Sequence, residues 1–333
     1  MGTRITSGHG SGGKMMRDLI ETIIRPRFGP DTQTADDAAI IEARGLPLAF
    51  TTDSYTITPI FFPGGDIGSL AVNGTVNDLA VMGAAPISLS CALILEEGFA
   101  MDDLIRILDS MKAAAAAASV RIVTGDTKVV PHGKGDGVYI NTSGIGIFET
   151  KVQRRPIAPG DRVVVSGFIG DHGMAIMAIR HNLSFAKGLV SDCANLNHMI
   201  RRVTDRFPEQ VKFMRDPTRG GVATVCNEIA EGMPWGVKII EQNLPIREEV
   251  KGVGGILGID PLYAANEGKV LIVASPESAE GIVEILRASP EGRDAAIIGE
   301  ITPEFPGRAW LATTVGGRRL LPLLTEEQLP RIC

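Results

Sequence analysis

At 333 residues, with 44% hydrophobic and 22% charged positions, the chain has the make-up of a globular protein and the length of about two domains at ~150 residues each. Its net charge of −6 excludes the basic excess that marks a nucleic-acid-binding surface. No apolar run approaches the ~18 residues of a membrane span, so neither nucleic acid nor membrane is an expected partner.

In chain order, the first 35 residues are a polar, Gly-rich lead with one helix expected over 14–24, stopping at Pro26. Strands follow at 38–41 and 48–57, the second rich in Thr. Residues 65–82 carry Leu70, Val72, Val76, Leu79 and Val81, a helical pattern closed by Gly83. A strand at 86–95 precedes a helix over 101–118, where Leu104, Ile107, Leu108 and Met111 share one face. Strands are expected at 120–130 and 138–148. Turn residues then cluster around Pro156 and Pro159-Gly160 and mark a break. Beyond it the pattern gives a strand at 162–168, helices at 171–180, 192–207 and 222–231, and strands at 237–240 and 269–274. A helix at 277–288 and strands at 295–301 and 308–313 complete the series. No repeat and no regular βαβ alternation is present, which favours two α+β domains over one doubly wound sheet. The expected division is a lead (1–35), a first domain (36–153), a second (154–324) and a mobile tail (325–333).

Glycine is in excess, 39 of 333 or about 12% against a usual ~7%, and it suits tight turns and close backbone approach to a ligand. The four cysteines, Cys91, Cys193, Cys226 and Cys333, show no CxxC or framework spacing. With no apolar signal core at the N-terminus, that pattern points to a reducing cytoplasm. Residues 8–14 formally fit GxxxxGK, but only seven residues precede Gly8 and Met15 stands where a P-loop needs Ser or Thr. The segment is then either a glycine lid with Lys14 as a point charge for phosphate or an unstructured terminus.

Five aspartates fall at the ends of strands or helices in the first half: Asp36, Asp37, Asp53, Asp78 and Asp126. Each has small or apolar neighbours, where a carboxylate is costly to bury unless paired or coordinated. Singly each reads as a cap or turn residue; together they suit a hard cation such as Mg²⁺ that bridges carboxylates to phosphates. No His/Cys spacing suits zinc. Asp216-Pro217-Thr218-Arg219-Gly220-Gly221 leads into a helical pattern. Free N–H groups, the helix dipole and a guanidinium fork there form an anion site, or else an ordinary capped helix start.

The chain ends Pro330-Arg331-Ile332-Cys333. Pro330 blocks helix continuation, so a free extended arm ending in a thiol is expected. Arg331 favours the thiolate of Cys333 and the α-carboxylate opposes it.

These segments together, with Val76-Asn77-Asp78-Leu79-Ala80, Gly125-Asp126-Thr127-Lys128 and Asn266-Glu267-Gly268-Lys269, resemble the HypE family of hydrogenase maturation factors, carbamoyl dehydratases. The resemblance spans essentially the whole chain. Its first-half motifs are shared with the wider superfamily of aminoimidazole ribonucleotide synthetase, selenophosphate synthetase and thiamine-monophosphate kinase; the terminal Pro-Arg-Ile-Cys is the diagnostic part. The resemblance implies an α+β, two-domain PurM-like fold whose N-terminal sheets pair into a dimeric barrel, with an α/β sandwich behind. It implies a homodimer that uses ATP and Mg²⁺. The partner carbamoyltransferase HypF would load Cys333, ATP would drive dehydration of the thiocarboxamide to a thiocyanate, and the HypC–HypD complex would take the cyanide for the iron of [NiFe]-hydrogenase. It assigns Glu267 and Lys134 to proton transfer and polarisation, ahead of His132 and His172. Lys14, Asn77, Asp216, Arg219 and Gly220 fall to nucleotide binding together with the five aspartates, which also ligate the metal. Two other readings stay open: a superfamily kinase or synthetase for a free small molecule, or a carrier that presents the modified thiol without catalysis. The lack of any Cys before Cys91 counts against a selenophosphate synthetase.

Overall fold

Two mixed sheets organise the chain, and the elements between them carry the chemistry-bearing residues. The structure is a computed structural model describing residues 4–10, 13–28, 36–149, 156–183, 188–324 and 328–333. Expectations for Ser11, Gly12, Arg154 and Arg155, and for residues 325–327, lie outside the described residues. Helix α1 (Lys14–Leu19) continues through a π-helical turn (Ile20–Ile24) into α2 (Arg25–Phe28). The helix therefore passes Pro26 rather than stopping there; the π-helical turn directly before the proline is where the regular hydrogen-bond ladder is broken, and the helix ends two residues beyond it.

Strands β1 (Ala39–Ala43) and β2 (Leu46–Tyr55) form a hairpin, and β3 (Phe61–Phe62) with β4 (Gly65–Asp66) a small pair. Then come α3 (Ile67–Val81), β5 (Ala85–Glu96), α4 (Met101–Ala117), β6 (Arg121–Val130) and β7 (Val138–Ile147). The five-stranded sheet runs β1-β2-β7-β5-β6, and only the β5–β6 pair, joined through α4, is parallel. Asp66 starts α3 as a capping box: its carboxylate accepts from the N–H groups of Gly68 and Ser69, and Ser69 Oγ accepts from Asp66 N. Helix α3 lies so close on the sheet that a Cβ at Gly144 would sit 2.8 Å from Thr75 and 2.9 Å from Leu79.

The second series is β8 (Arg162–Val165), α5 (Asp171–Arg180), α6 (Asn197–Arg206), β9 (Val211–Arg215), α7 (Gly221–Ala230) and β10 (Gly236–Ile240). It continues with α8 (Glu248–Leu257), β11 (Leu271–Ala274), α9 (Ala279–Arg287), β12 (Ala296–Thr302), β13 (Ala309–Ala312) and β14 (Arg318–Leu320). The seven strands are ordered β14-β13-β10-β12-β8-β11-β9. Val163, Val164 and Val165 are all buried because helices cover both faces: α7 packs with Val163 and Val165, and α6 and α9 pack with Val164.

Three local expectations change. The helix expected over 192–207 begins only at Asn197, because residues before it are held open against α3. Asn77 there accepts from Leu196 N at 2.8 Å and donates to the carbonyl of Ala194 at 3.0 Å. Helix α8 was not expected; Gly252, Gly254 and Gly255 hide it, since each glycine costs about 1 kcal/mol of helix propensity. The tail is not a free arm. Leu329 and Ile332 are buried in the same apolar cluster as Val72 of α3 and Met174 and Ile176 of α5.

Candidate active site

Alternation along β2 turns Ala49, Thr51, Asp53 and Tyr55 to the side covered by α3 and leaves Phe50, Thr52 and Ser54 outside. Helix α3 presents Asp78 to that layer. Asp37 arrives just ahead of β1, and Asp216 just after β9. One carboxylate oxygen from each of Asp37, Asp78 and Asp216 lies within 4.8 Å of the others. Thr51 Oγ1 stands between Asp78 Oδ2 (2.7 Å) and the carbonyl of Asp37 (2.9 Å). Arg215 is the compensating cation: its Nε is 3.0 Å from Asp37 Oδ1, and its other arm is 2.5 Å from Glu228 Oε2.

Crowding like charges where water is excluded raises their affinity for protons or for a cation. Burial, then Asp53 and Asp216, hold the Asp78 carboxyl well above the usual carboxylate range. Burial, then Asp37 and Asp53, do the same for Asp216. Burial pushes Asp37 up to about 6 against the pull of Arg215. Glu267 belongs to the same field: burial first, then Asp216, Asp192 and Asp53, raise it far above a solvated glutamate. Its Oε1 is buried with no hydrogen-bond partner among the described residues. Its backbone N–H donates to Asp192 Oδ1 at 3.0 Å, and Lys269 Nζ lies 3.3 Å from Asp192 Oδ2. Gly268 is required between them, since a Cβ would stand 1.8 Å from the Asp192 carbonyl.

Arg219 joins this cluster to the tail. Gly220 (φ +78°) and Gly221 (φ +60°) turn the chain into α7, leaving Arg219 free to donate to the Gly10 carbonyl at 2.8 Å. Negative charge at Cys333 favours the protonated guanidinium most, with Asp53 and Glu267 adding to it. The last residues pair with residues 56–58: Thr56 N donates to the Cys333 carbonyl oxygen at 3.0 Å, and Thr58 N to the Arg331 carbonyl at 3.3 Å. Arg331 Nε returns a bond to the Thr56 carbonyl at 2.8 Å, and its guanidinium pairs with Asp136. Asp136 lies in the loop between β6 and β7, whose Gly133 and Gly137 N–H groups donate to Glu96. Lys134 is in that loop, exposed.

The structure thus gathers Asp37, Asp53, Asp78, Asp216, Arg219, Glu267 and Cys333 into one neighbourhood, with Gly220 at its helix start. Others fall elsewhere. Asp126 is exposed on the edge strand β6, 2.6 Å from Lys128 Nζ. Asp36 points outward beside Asp37. Asn77 spends its amide on backbone groups. The Lys14 side chain is exposed while its N–H donates to the Leu324 carbonyl at 3.1 Å. His132 is exposed near Glu96, and His172 is fully buried. Sequence reasoning missed Thr51, Arg215, Asp192 and Lys269. Thr51 shares the strand face of Asp53, Arg215 precedes Asp216, and Lys269 ends the Asn266-Glu267-Gly268-Lys269 segment, so all three carried a signal; Asp192 carried none.

Two family models match the chain: AIR synthase related protein, N-terminal domain, over residues 35–148, and its C-terminal domain over residues 158–311. The carbamoyl dehydratase HypE of Rhodobacter capsulatus is 47% identical over 336 aligned residues, covering 99% of this chain and 98% of that protein. A solved HypE–HypF complex matches with a TM-score of 0.84 at 42% identity, covering 93% of this chain and 99% of that one. A solved hydrogenase maturation protein HypE in complex with ATP matches with a TM-score of 0.82 at 45% identity, covering 99% and 100%.

Proposed function

Since the chain belongs to the HypE family of carbamoyl dehydratases, among the AIR synthase related proteins of PurM-like, two-domain α+β fold, we propose that its substrate is its own Cys333 in carbamoylated form. ATP-dependent dehydration converts the thiocarboxamide to a thiocyanate, which supplies cyanide for the iron of [NiFe]-hydrogenase. The observation that carries this reading is the docked terminus: Cys333 lies against Thr56 and shares the cation Arg219 with Asp53 and Glu267.

The reaction transfers the γ-phosphoryl group of ATP to the thiocarboxamide oxygen, which then leaves as phosphate while the nitrogen gives up its two protons. Glu267 suits the base: its carboxylate is buried, unpaired at Oε1 and raised in basicity, and such a base contributes about 10²–10⁴-fold. Arg219 and the N–H groups opening α7 hold phosphate oxygens. Lys134 acts from a loop tied to the tail through Asp136 and Arg331. Lys14 closes from the lead.

Asp37, Asp78 and Asp216 fit Mg²⁺: three hard oxygen donors converge, and burial makes their shared charge costly without a cation. Asp53 supports them. When bound, the ion neutralises charge on the transferring phosphoryl group. Asp36 and Asp126 stand outside this convergence.

The homodimer of this reading is supported by the uncovered face of the first sheet, where Phe50, Ile87, Ile94, Ile145 and Ile147 are exposed. HypF loads Cys333, and the HypC–HypD complex receives the cyanide. No helix among the described residues is long and apolar enough to cross a membrane, and we place the protein in the cytoplasm, where its thiols stay reduced. Mass spectrometry of the carbamoylated chain with Mg-ATP tests the reading: loss of one water is expected, and an unchanged mass alongside intact nucleotide refutes it.

A further inference from the structure

Helix α5 faces the tail with a polar group at each end. His172, in its first turn, is fully buried, with Nε2 2.7 Å from the Ile332 carbonyl oxygen and Nδ1 2.7 Å from Ser191 Oγ. A carbonyl only accepts, so Nε2 carries the proton, and in the neutral ring Ser191 donates to Nδ1. Ser191 Oγ in turn accepts from Cys193 N at 3.0 Å, which fixes the ring's orientation from behind. Burial lowers the His172 pKa and keeps that neutral tautomer. Arg180, in the last turn, donates through Nε to the Thr58 carbonyl at 2.7 Å, and through its two arms to the carbonyls of Pro330 at 2.5 Å and Arg331 at 2.6 Å.

Together with the N–H groups of Thr56 and Thr58, these donors satisfy the carbonyl oxygen of every residue from Pro330 to Cys333. None of these bonds involves the Cys333 sulfur. The grip is on the path of the chain, and the group on the sulfur does not enter it.

We propose, building on the dehydratase reading, that Arg180 and His172 are positioning residues that clamp the tail by its backbone carbonyls and so present the Cys333 sulfur to the acidic site whatever group it carries. Thiol, thiocarboxamide and thiocyanate forms then dock alike, and release for the partners requires breaking the Arg180 fork rather than any change at sulfur.

The test is the rate at which iodoacetamide alkylates Cys333 in the full-length chain, followed by peptide mass spectrometry. Arg180→Met keeps the stem length and removes the donors; with two charged hydrogen bonds to the tail lost, alkylation rises by about tenfold or more. Removing a nearby cation disfavours the thiolate, so a rise cannot be a charge effect. Arg180→Lys restores part of the protection. At the second position, His172→Leu exposes the thiol, whereas His172→Gln, which keeps a donor near Nε2, does not. An unchanged Cys333 rate in Arg180→Met overturns the clamp. So does a parallel rise at buried Cys226, which would report general loosening. In single turnover, water loss from carbamoylated Arg180→Met falls by a similar factor while the KM for ATP stays put. If the unmutated chain loses no water at all, the dehydratase reading fails, and the alkylation result still decides the clamp.

Discussion

Arg215 Nε lies 3.0 Å from Asp37 Oδ1, so the end of β9 in the second sheet is pinned to the residue that leads into β1 of the first. The same guanidinium reaches Glu228 on α7. One cation therefore ties the two sheets together where the carboxylates converge, and its charge opposes that of Asp37 most directly and acts on Asp216 as well.

Replacing that cation, as in Arg215→Met, leaves Asp37 and Glu228 enclosed without their partner. Breaking a buried pair from one side costs about 3–5 kcal/mol, and equilibrium urea unfolding reads the loss. The remaining carboxylates also become more negative. The rise in thermal midpoint that Mg²⁺ produces is therefore larger in Arg215→Met than in the unmutated chain. An equal or smaller rise would separate Arg215 from the cation site.

Mg²⁺ stabilisation follows pH with a definite sign. Asp37 titrates near 6 in the folded chain against 3.8 for a solvated aspartate, and Asp78 and Asp216 are also raised. A raised carboxyl holds its proton in the native state, so without metal the chain gains stability as pH falls through the folded value toward the unfolded one. Mg²⁺ binds the charged forms and competes with those protons. Calorimetry with and without Mg²⁺ should show the largest shift near pH 8, shrinking as pH drops through about 6. A shift independent of pH would remove these aspartates from the metal.

Gly268→Ala tests whether the turn at Glu267 is held by close approach. The added Cβ would meet the Asp192 carbonyl at 1.8 Å, and neither backbone segment can yield without disturbing the Glu267 N–H bond to Asp192. Overpacking of this kind costs about 1–3 kcal/mol. Dehydration should fall further than stability alone accounts for, because Glu267 is displaced with the turn. Full activity with a stable fold would show that the position of Glu267 does not matter.

What could be read before the structure divides along sequence distance. The Thr-rich run at 48–57 marked β2, the apolar spacing gave α4 almost to the residue, and the glycine pair before α7 marked a helix start. Those signals are local. The acidic site is not: Asp37 meets Arg215 across 178 residues and Glu267 meets Asp192 across 75, and no periodicity encodes either pair. The tail failed for a related reason. Pro330 does forbid a helix, yet the donors that hold the tail come from α5 and from residues 56–58, and two apolar side chains, Leu329 and Ile332, suffice to seat it.

Glu267→Gln sets activity against stability. The side chain is buried, its Oε1 has no donor among the described residues, and the surrounding carboxylates Asp216, Asp192 and Asp53 all oppose its charge. A folded pKa raised this far means that ionising Glu267 destabilises the native chain at alkaline pH, and the penalty disappears as pH falls through the folded value. Glutamine has the same shape and no charge, so the variant should unfold at higher urea than the parent at about pH 8, with the two curves converging on acidification. The same change removes the base. Water loss from the carbamoylated chain should drop by about 10²–10⁴-fold, while ATP still binds. A variant that is both more stable and fully active would leave the proton of the thiocarboxamide to some other group, with Lys134 first in line.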